Sequence, residues 1–546
     1  MPPIPDVLNK IPLMYRAQVD GRCQLQRLRP KADKQDAQRW VEEWIERAYP
    51  QPPDFGPGVQ TRTYKLSWRF VTNGGQDDGI IRPVVGARGW PFYPGSSMKG
   101  LFRSACTPQQ KARYCGRPLP GGDWAPGILR FHGGYPVNDK WKDRLLDLVH
   151  PQQNYQVKGG DAYHAAFMMI SLYQPELKFG ISSTEPLPPE EWEEIWRIWE
   201  RALAKGIGSR VCAGYGHPAS ISGDELYPPH KLYGRGMASL TLDGAEFRPN
   251  IFRAAIRGHA LRIFGGLLPA GVAEREVDRL FGGLGRREPV VGLVGMKFVT
   301  ERLVLKPFGQ EPYRVETYEV TGQLSWLLTR PLPEEQREAL KQLLLRLTQF
   351  AMILGGFGKS WRRADHRLFF PEYYQRNRRP YIGCHWEWMA NHQRDVQIIS
   401  PSHVGKFIND RLLPAAKRWL ELQGVRLNDE YAREWRESWH RDKVQVWGRM
   451  AENQNDSLAI EWLHRPYTQG QSIKASSLTG KLGRIGRLWH RMYRHYQKDS
   501  QSNQITSKAT GQYIELLTIF PDNSRECQQF LRFLQQQGEF QRVWPG

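Results

Sequence analysis

Cysteine is scarce: six in 546 residues (Cys23, Cys106, Cys115, Cys212, Cys384 and Cys527), with no two arranged as Cys-x-x-Cys. That pattern argues against a disulfide framework and a cysteine zinc site and leaves reduced thiols. Cys106, Cys115 and His132 follow no standard metal-ligand spacing either. Long apolar runs are also missing. None approaches the roughly 20 residues that span a bilayer, and Met1-Pro-Pro-Ile-Pro-Asp6 lacks the charged and apolar stretches of a secretory leader. The expectation is a cytoplasmic protein without membrane contact. Nucleotide-binding signatures fail as well. Gly358-Lys359-Ser360 has Ile353 where a P-loop requires its first glycine. The Gly206/Gly208 loop has Val211 at the third glycine of the dinucleotide fingerprint and follows a helix instead of a strand. The histidines form no His-Glu-x-x-His or other paired metal spacing, so none is singled out as catalytic.

Acidic residues fall short of basic ones, 56 against 77, for a net charge of +21, and 12% of residues are aromatic. Positive surface beside flat stacking groups favours nucleic acid as the partner, although composition alone leaves a merely basic surface open. At this length, with 40% hydrophobic residues, the chain is expected to bury more than one core.

The strongest local signal is Trp90 to Cys106. A Pro94-Gly95 turn hands over to a helix carrying Ser96, Ser97, Lys99 and Arg103. The serines are placed to cap the helix, its free N–H groups attract an anion, and Lys99 and Arg103 add full charges. This reads as a contact to a phosphate backbone.

The segments fall into an order. After an N-terminal extension, 1–60, with one helix from about Lys34 to Ala48, strands are predicted over Tyr64–Phe70, Gly127–Phe131 and Ala165–Tyr173, and a helix over Pro188–Leu203. That helix runs into the glycine-rich loop Lys205–His217. The order then repeats at a period of roughly 150 residues: a strand Ala238–Asp243, a helix Ile251–Phe264, strands Val291–Val299 and Tyr318–Leu328, and a helix Pro333–Leu354 leading into Gly355–His366. The predicted fold class is α+β: two ferredoxin-like units in tandem plus a mainly helical insertion. The boundaries are 61–235 for the first unit, 236–374 and 441–546 for the two parts of the second, and 375–440 for the insertion. A charged helix is predicted over Asn428–Arg441, and a basic helix carries Arg484, Arg487, His490, Arg491 and Arg494.

Further basic residues extend the predicted phosphate-contacting set. Lys205, Arg210, Lys359, Arg362 and Arg363 flank the glycine loops, whose N–H groups are expected to approach phosphates. Arg253, Arg257 and Arg262 share one helix, with Arg253 and Arg257 neighbours at four residues. Arg487 and Arg491 complete the set. For each, a helix cap or a solvated face is the plain alternative. For catalysis the candidates are Asp77 and Asp78 in Asn73–Gly79, placed to hold a metal-bound water or orient an attack on phosphate; paired aspartates before glycine are also ordinary turn formers.

Gly89-Trp-Pro-Phe-Tyr-Pro-Gly-Ser-Ser-Met-Lys-Gly-Leu-Phe-Arg103 resembles the signature of the repeat-associated mysterious protein (RAMP) superfamily, and Gly206–Gly216 resembles that superfamily's glycine-rich loop. Ile256–Gly266 with Leu280-Phe-Gly282 is similar to the helix of another such unit, and Ser477-Leu-Thr-Gly480 with Ile485–Met492 to a late family segment. The resemblance implies a backbone subunit of a type III CRISPR effector that holds guide crRNA, with target RNA, other RAMP backbone subunits and a large polymerase-like subunit as partners. In target-cleaving members a loop aspartate cuts target RNA with a divalent metal, implying Mg2+ or Mn2+ at Asp77 or Asp78; no motif here binds a cofactor recognisably. That aspartate normally precedes a proline by two residues, whereas Ile81 stands two before Pro83. The alternatives are a stand-alone RAMP endoribonuclease that processes CRISPR repeat RNA and a general single-strand RNA-binding protein.

Overall fold

The computed structural model describes residues 34–546 except 73, 78–79, 150–153, 161–166, 242, 285–288, 376–377, 390–395, 482–483 and 499–504. Helix α1 (Lys34–Arg47) sets Trp40 and Trp44 four residues apart on one buried face, and the Trp44 ring lies 4.7 Å from Trp141. Helix α1 is therefore anchored in the first core.

That core underlies an antiparallel sheet of β1 (Gln60–Lys65), β2 (Leu129–Pro136) and β3 (Glu176–Ser183), in the order β1-β3-β2. Helix α2 (Gly95–Ser104) lies between β1 and β2 in the chain, and α3 (Pro189–Leu203) follows β3. Met98 and Phe102 of α2 pack with Ile195 and Trp199 of α3 against Phe179 and Ile181. Sequence reading missed β3, the central strand. Its Leu177, Phe179 and Ile181 alternate inward, but Gly180 interrupts the apolar pattern on a face covered by Phe55 and Val59. A smaller sheet joins Gln76–Asp77, Ile80–Ile81, Phe167–Ile170 and Leu146–Val149, with Ile80 and Ile81 parallel to Met168 and Met169. The predicted Ala165–Tyr173 strand is present only in part, as Phe167–Ile170 and Leu172–Tyr173, and begins outside the described residues.

The second sheet contains β4 (His230–Met237), β5 (Val294–Phe308), β6 (Val315–Leu328) and β7 (His385–Trp388), all antiparallel, in the order β5-β6-β4-β7. Helices α4 (Ile251–Gly265) and α5 (Ala270–Phe281) separate β4 from β5, and α6 (Glu334–Phe350) separates β6 from β7. The strand expected at Ala238–Asp243 is displaced: β4 precedes it, and Ser239–Thr241 forms only a small hairpin. Gly234 disguises β4 in the sequence, yet a Cβ there would lie 2.3 Å from the Trp386 ring, so glycine is what lets β7 pair. Because β7 completes this sheet, the expected insertion 375–440 is not separate from the second unit.

The third sheet corrects the expectation that 441–546 merely completes the second unit. β8 (Gln445–Ala451), β9 (Leu488–Lys498), β10 (Ile505–Ile519) and β11 (Gln541–Trp544) pair among themselves in the order β9-β10-β8-β11, the same order by chain position as in the second sheet. Helix α7 (Leu458–His464) separates β8 from β9, and α8 (Arg525–Gln536) separates β10 from β11. The basic helix expected around Arg484–Arg494 is strand β9 with a short strand, Arg484–Ile485, before it. The chain is α+β, built on antiparallel sheets. The second and third sheets share a core in which Trp326 and Leu347 join Trp439, Trp489 and Trp544.

The helix expected over Asn428–Arg441 is absent. The segment instead turns beneath the end of α4, where Ala432 N–H donates to Gly265 and Trp439 N–H to Arg262. A Cβ on Gly266 would lie 2.0 Å from the Trp439 carbonyl oxygen, so only glycine admits this crossing.

Candidate nucleic-acid interface

Helix α2 presents the most open group of predicted residues. Pro94 is its N-cap, in an extended conformation, and Gly95 opens the first turn. A Cβ on Gly95 would stand 2.1 Å from the Phe131 carbonyl oxygen, so glycine lets the helix start press against β2. Met98 and Phe102, four apart, are buried, while Ser96, Ser97, Lys99 and Gly100 are exposed. The expected serine cap is not formed, since no side chain caps this helix and both serines lie inside the first turn. Their hydroxyls stand beside the N–H groups that a helix leaves without internal partners, and Lys99 projects from the next turn. Arg103 is half-buried. Its Nη1 donates to the Gly116 carbonyl at 3.4 Å, and its guanidinium lies 5.4 Å from the centre of the Trp124 ring.

The glycine loops do something other than expected. In Lys205–His217, Ser209 N–H donates to Val71, Ile207 N–H to Gly216 and Gly216 N–H to Arg69. Gly208 and Gly216 have φ of +76° and +67°, and Cβ atoms there would lie 2.1 Å from the Val71 oxygen and 1.9 Å from the Ile207 oxygen. These glycines let the protein's own backbone close on itself, which engages N–H groups assigned above to phosphates. Lys205 is exposed, and Arg210, held at φ 61°, is half-buried.

In the second loop, Gly356 leaves room for an arginine. A Cβ on it would lie 1.4 Å from Arg491 Nη2. The buried Arg491 donates to the carbonyls of Arg363 and Cys384 at 3.1 Å, Gly355 at 2.9 Å, and Trp361. Arg262 and Arg362 converge on the fully buried Glu437, with closest contacts of 2.6 and 2.8 Å, and Arg436 adds a third at 3.0 Å. The Arg262 guanidinium lies between Trp361 and Trp489, 5.1 and 5.0 Å from their centres. Burial raises the Glu437 pKa, but Arg362, Arg262 and Arg436 overcome it and hold the carboxyl below its usual range.

Four predicted contacts are therefore corrected. Arg257 pairs with Asp278 at 2.9 Å and Asn154 at 2.6 Å, and together with Arg262, Arg362 and Arg491 it is buried in internal pairs no RNA phosphate reaches. Three more are partly buried with internal partners. Arg253 donates to the Phe281 carbonyl, Arg363 to the Leu488 and Thr479 carbonyls, and Arg487 stands 3.3 Å from Asp522. Lys359 is exposed and reaches the Ala238 carbonyl at 3.1 Å. Ser96, Ser97, Lys99 and Arg103 stand together on α2. Asp77 ends a two-residue strand opposite Ile80, and Asp78 lies outside the described residues.

No protein-family model matches the chain, and no curated protein matches it. Among solved structures, it is similar to a chain of a type III-B Cmr-beta complex bound to cognate target RNA, at 16% identity and a TM-score of 0.23, over 38% of this chain and 64% of that one. It is also similar to Cmr6 from Pyrococcus furiosus, at 15% identity and a TM-score of 0.19, over 30% of this chain and 98% of that one. A chain of a type IV-B CRISPR complex is similar at 13% identity and a TM-score of 0.21, over 29% of this chain and 86% of that one.

Two features of the site region escaped the sequence. Trp124 is one, invisible because its partner Arg103 precedes it by a full helix end and turn. The other is a buried network in which Arg69 and Arg248 meet Glu246 and Asp147, the Arg248–Asp147 pair at 2.6 Å, with Tyr215 donating to Asp147 at 2.8 Å. Among the described residues, no three His, Cys, Asp or Glu side chains stand together as a metal would require, and no helix is long and apolar enough to cross a membrane.

Proposed function

We propose that this chain is a guide-RNA-binding backbone subunit of a type III CRISPR effector, assembled from ferredoxin-like RAMP units. The observation that carries the proposal is the start of α2: a Pro-Gly entry, two exposed serines and an exposed lysine at a helix N-terminus, in the segment that resembles the RAMP signature and in a chain of net charge +21. The strand–helix–strand–strand–helix–strand order of the second and third sheets supports it, as does the first sheet with one helix after β1 and another after β3. Contacts of this kind position a phosphate backbone without reading sequence, which leaves target choice to base pairing.

Other RAMP backbone subunits and a large polymerase-like subunit belong to this proposal as partners, with guide crRNA and target RNA. Cleavage of the target, with Mg2+ or Mn2+ at Asp77 or Asp78, rests on the resemblance alone. Products unchanged by Asp77→Ala with Asp78→Ala in the assembled complex would remove that role.

The proposal predicts that the chain, purified from its native cells, brings down RNA of defined length with a constant repeat-derived end, together with other effector subunits. Heterogeneous cellular RNA without partners would contradict it in favour of a general single-strand binder. Metal-independent cutting of repeat RNA by the chain alone would contradict it in favour of a processing nuclease.

A further inference from the structure

Trp124 is anomalous for this protein. The chain has twenty tryptophans, and among the described residues Trp124 alone is largely open to solvent, with 57% of its surface exposed. It sits on a hairpin of Gly116–Pro118 and Trp124–Pro126, opposite Pro118, and the tip closes through Leu119 N–H to the Asp123 carbonyl at 2.7 Å. An indole this open gives up most of the hydrophobic stabilisation it would gain in a core. The hairpin also fixes it in place: Arg103 of α2 lies over the ring and donates to Gly116 at the hairpin base.

We infer that Trp124 is a stacking platform for an unpaired nucleobase of the bound RNA strand, with Arg103 as its positioning residue. The inference rests on the RNA-binding proposal and deepens it. One face of the indole is taken by the guanidinium, and the open remainder suits a flat π partner. The surroundings select a partner carrying negative charge. Lys99 lies one helical turn from Arg103, and Arg117 is exposed on the hairpin; Asp123 is the hairpin's one acid. A single strand whose phosphate sits at the start of α2 and whose base stacks on Trp124 meets both requirements. Every base offers a π face, so the platform tolerates any sequence. Arg103, assigned above to a phosphate, acts instead through the ring it supports.

The test uses the full-length chain with fluorescently labelled single-stranded RNA and a labelled abasic strand of equal length. Trp124→Ala is expected to weaken binding of the base-bearing strand roughly 5- to 150-fold, as loss of one stacked base does. The salt slope and the affinity for the abasic strand should stay unchanged, and Trp124→Phe should restore most of the loss. Arg103→Ala should reproduce a part of it. Independently of any variant, ultraviolet crosslinking of 5-iodouridine RNA to the unmodified protein should map to the peptide containing Trp124. If the unmodified protein binds RNA in a salt-dependent way but Trp124→Ala binds equally well, or the crosslink maps elsewhere, the stacking inference is overturned and the RNA proposal stands. If the unmodified protein does not bind RNA, both fall.

Discussion

Replacing Glu437 by alanine is expected to destabilise the fold by about 3–5 kcal/mol, the usual effect of removing one partner from a buried ion pair. Glu437 is fully buried and is the carboxylate on which Arg262, Arg362 and Arg436 converge. Without it, Arg262 and Arg362 stay between the rings of Trp361 and Trp489 with no countercharge, and water cannot replace it at 2% and 9% exposure. The loss spreads because the cluster ties α4, the Gly355–His366 loop, the 429–440 segment and β9 together. Chemical denaturation followed by tryptophan fluorescence measures it. A large fall in the midpoint is expected for Glu437→Ala and a smaller one for Glu437→Gln, which keeps the acceptor oxygen but not the charge. An unchanged midpoint in both would show that the guanidiniums do not depend on Glu437.

Acid is expected to unfold the protein in two stages. His217, His259 and His366 are almost wholly inaccessible, and burial pushes each pKa down, that of His217 to about 4. Their unfolded value is about 6.5, so the folded state binds fewer protons than the unfolded state below that pH. The stability they preserve is complete above pH 6.5 and declines as pH falls toward 4, by up to about 1.4 kcal/mol per pH unit for each histidine. His366 makes the requirement concrete: its Nε2 lies 2.9 Å from Nε2 of His464, a contact in which one of the two nitrogens must be unprotonated to accept, so both rings cannot be charged at once. The second stage begins near the ordinary carboxylate range of about 4.3, where the depressed pKa of Glu437 makes protonation another drain as pH drops further. Denaturation midpoints measured between pH 7.5 and 4 should fall steadily from about 6.5; a flat profile down to pH 5 would contradict the burial of these imidazoles.

Helix α2 was legible because its signals are local. Pro94 and Gly95 mark the start, and Met98 and Phe102 mark the buried face. Strand β9 was misread for a physical reason: Leu488, Trp489, Met492, Tyr493 and Tyr496 recur at helical spacing, yet the strand is buried on both faces, where alternation vanishes. The arginines show a different limit. Arg253 and Arg257 have the spacing of a binding face and Arg262 shares their helix, but the partner of Arg262 is a glutamate 175 residues away, and nothing near Arg262 in the chain distinguishes that carboxylate from a phosphate. Glycine misled in the same way. Gly208, Gly216 and Gly356 suggested room for a ligand, and the room is filled by Val71, Ile207 and Arg491. Ser96, Ser97 and Lys99 on α2 differ: they are exposed, and neither serine caps the helix.

The salt dependence of single-stranded RNA binding by the full chain, compared with Lys99→Ala, tests this central claim most directly. Binding should be tight at low salt and fall linearly on a logarithmic scale, and the variant should lose affinity while its slope drops by about 0.7, the value for one phosphate contact on a single strand. No binding by the unmodified chain, or an affinity and slope left unchanged by Lys99→Ala, would contradict the placement of the RNA backbone at the start of α2.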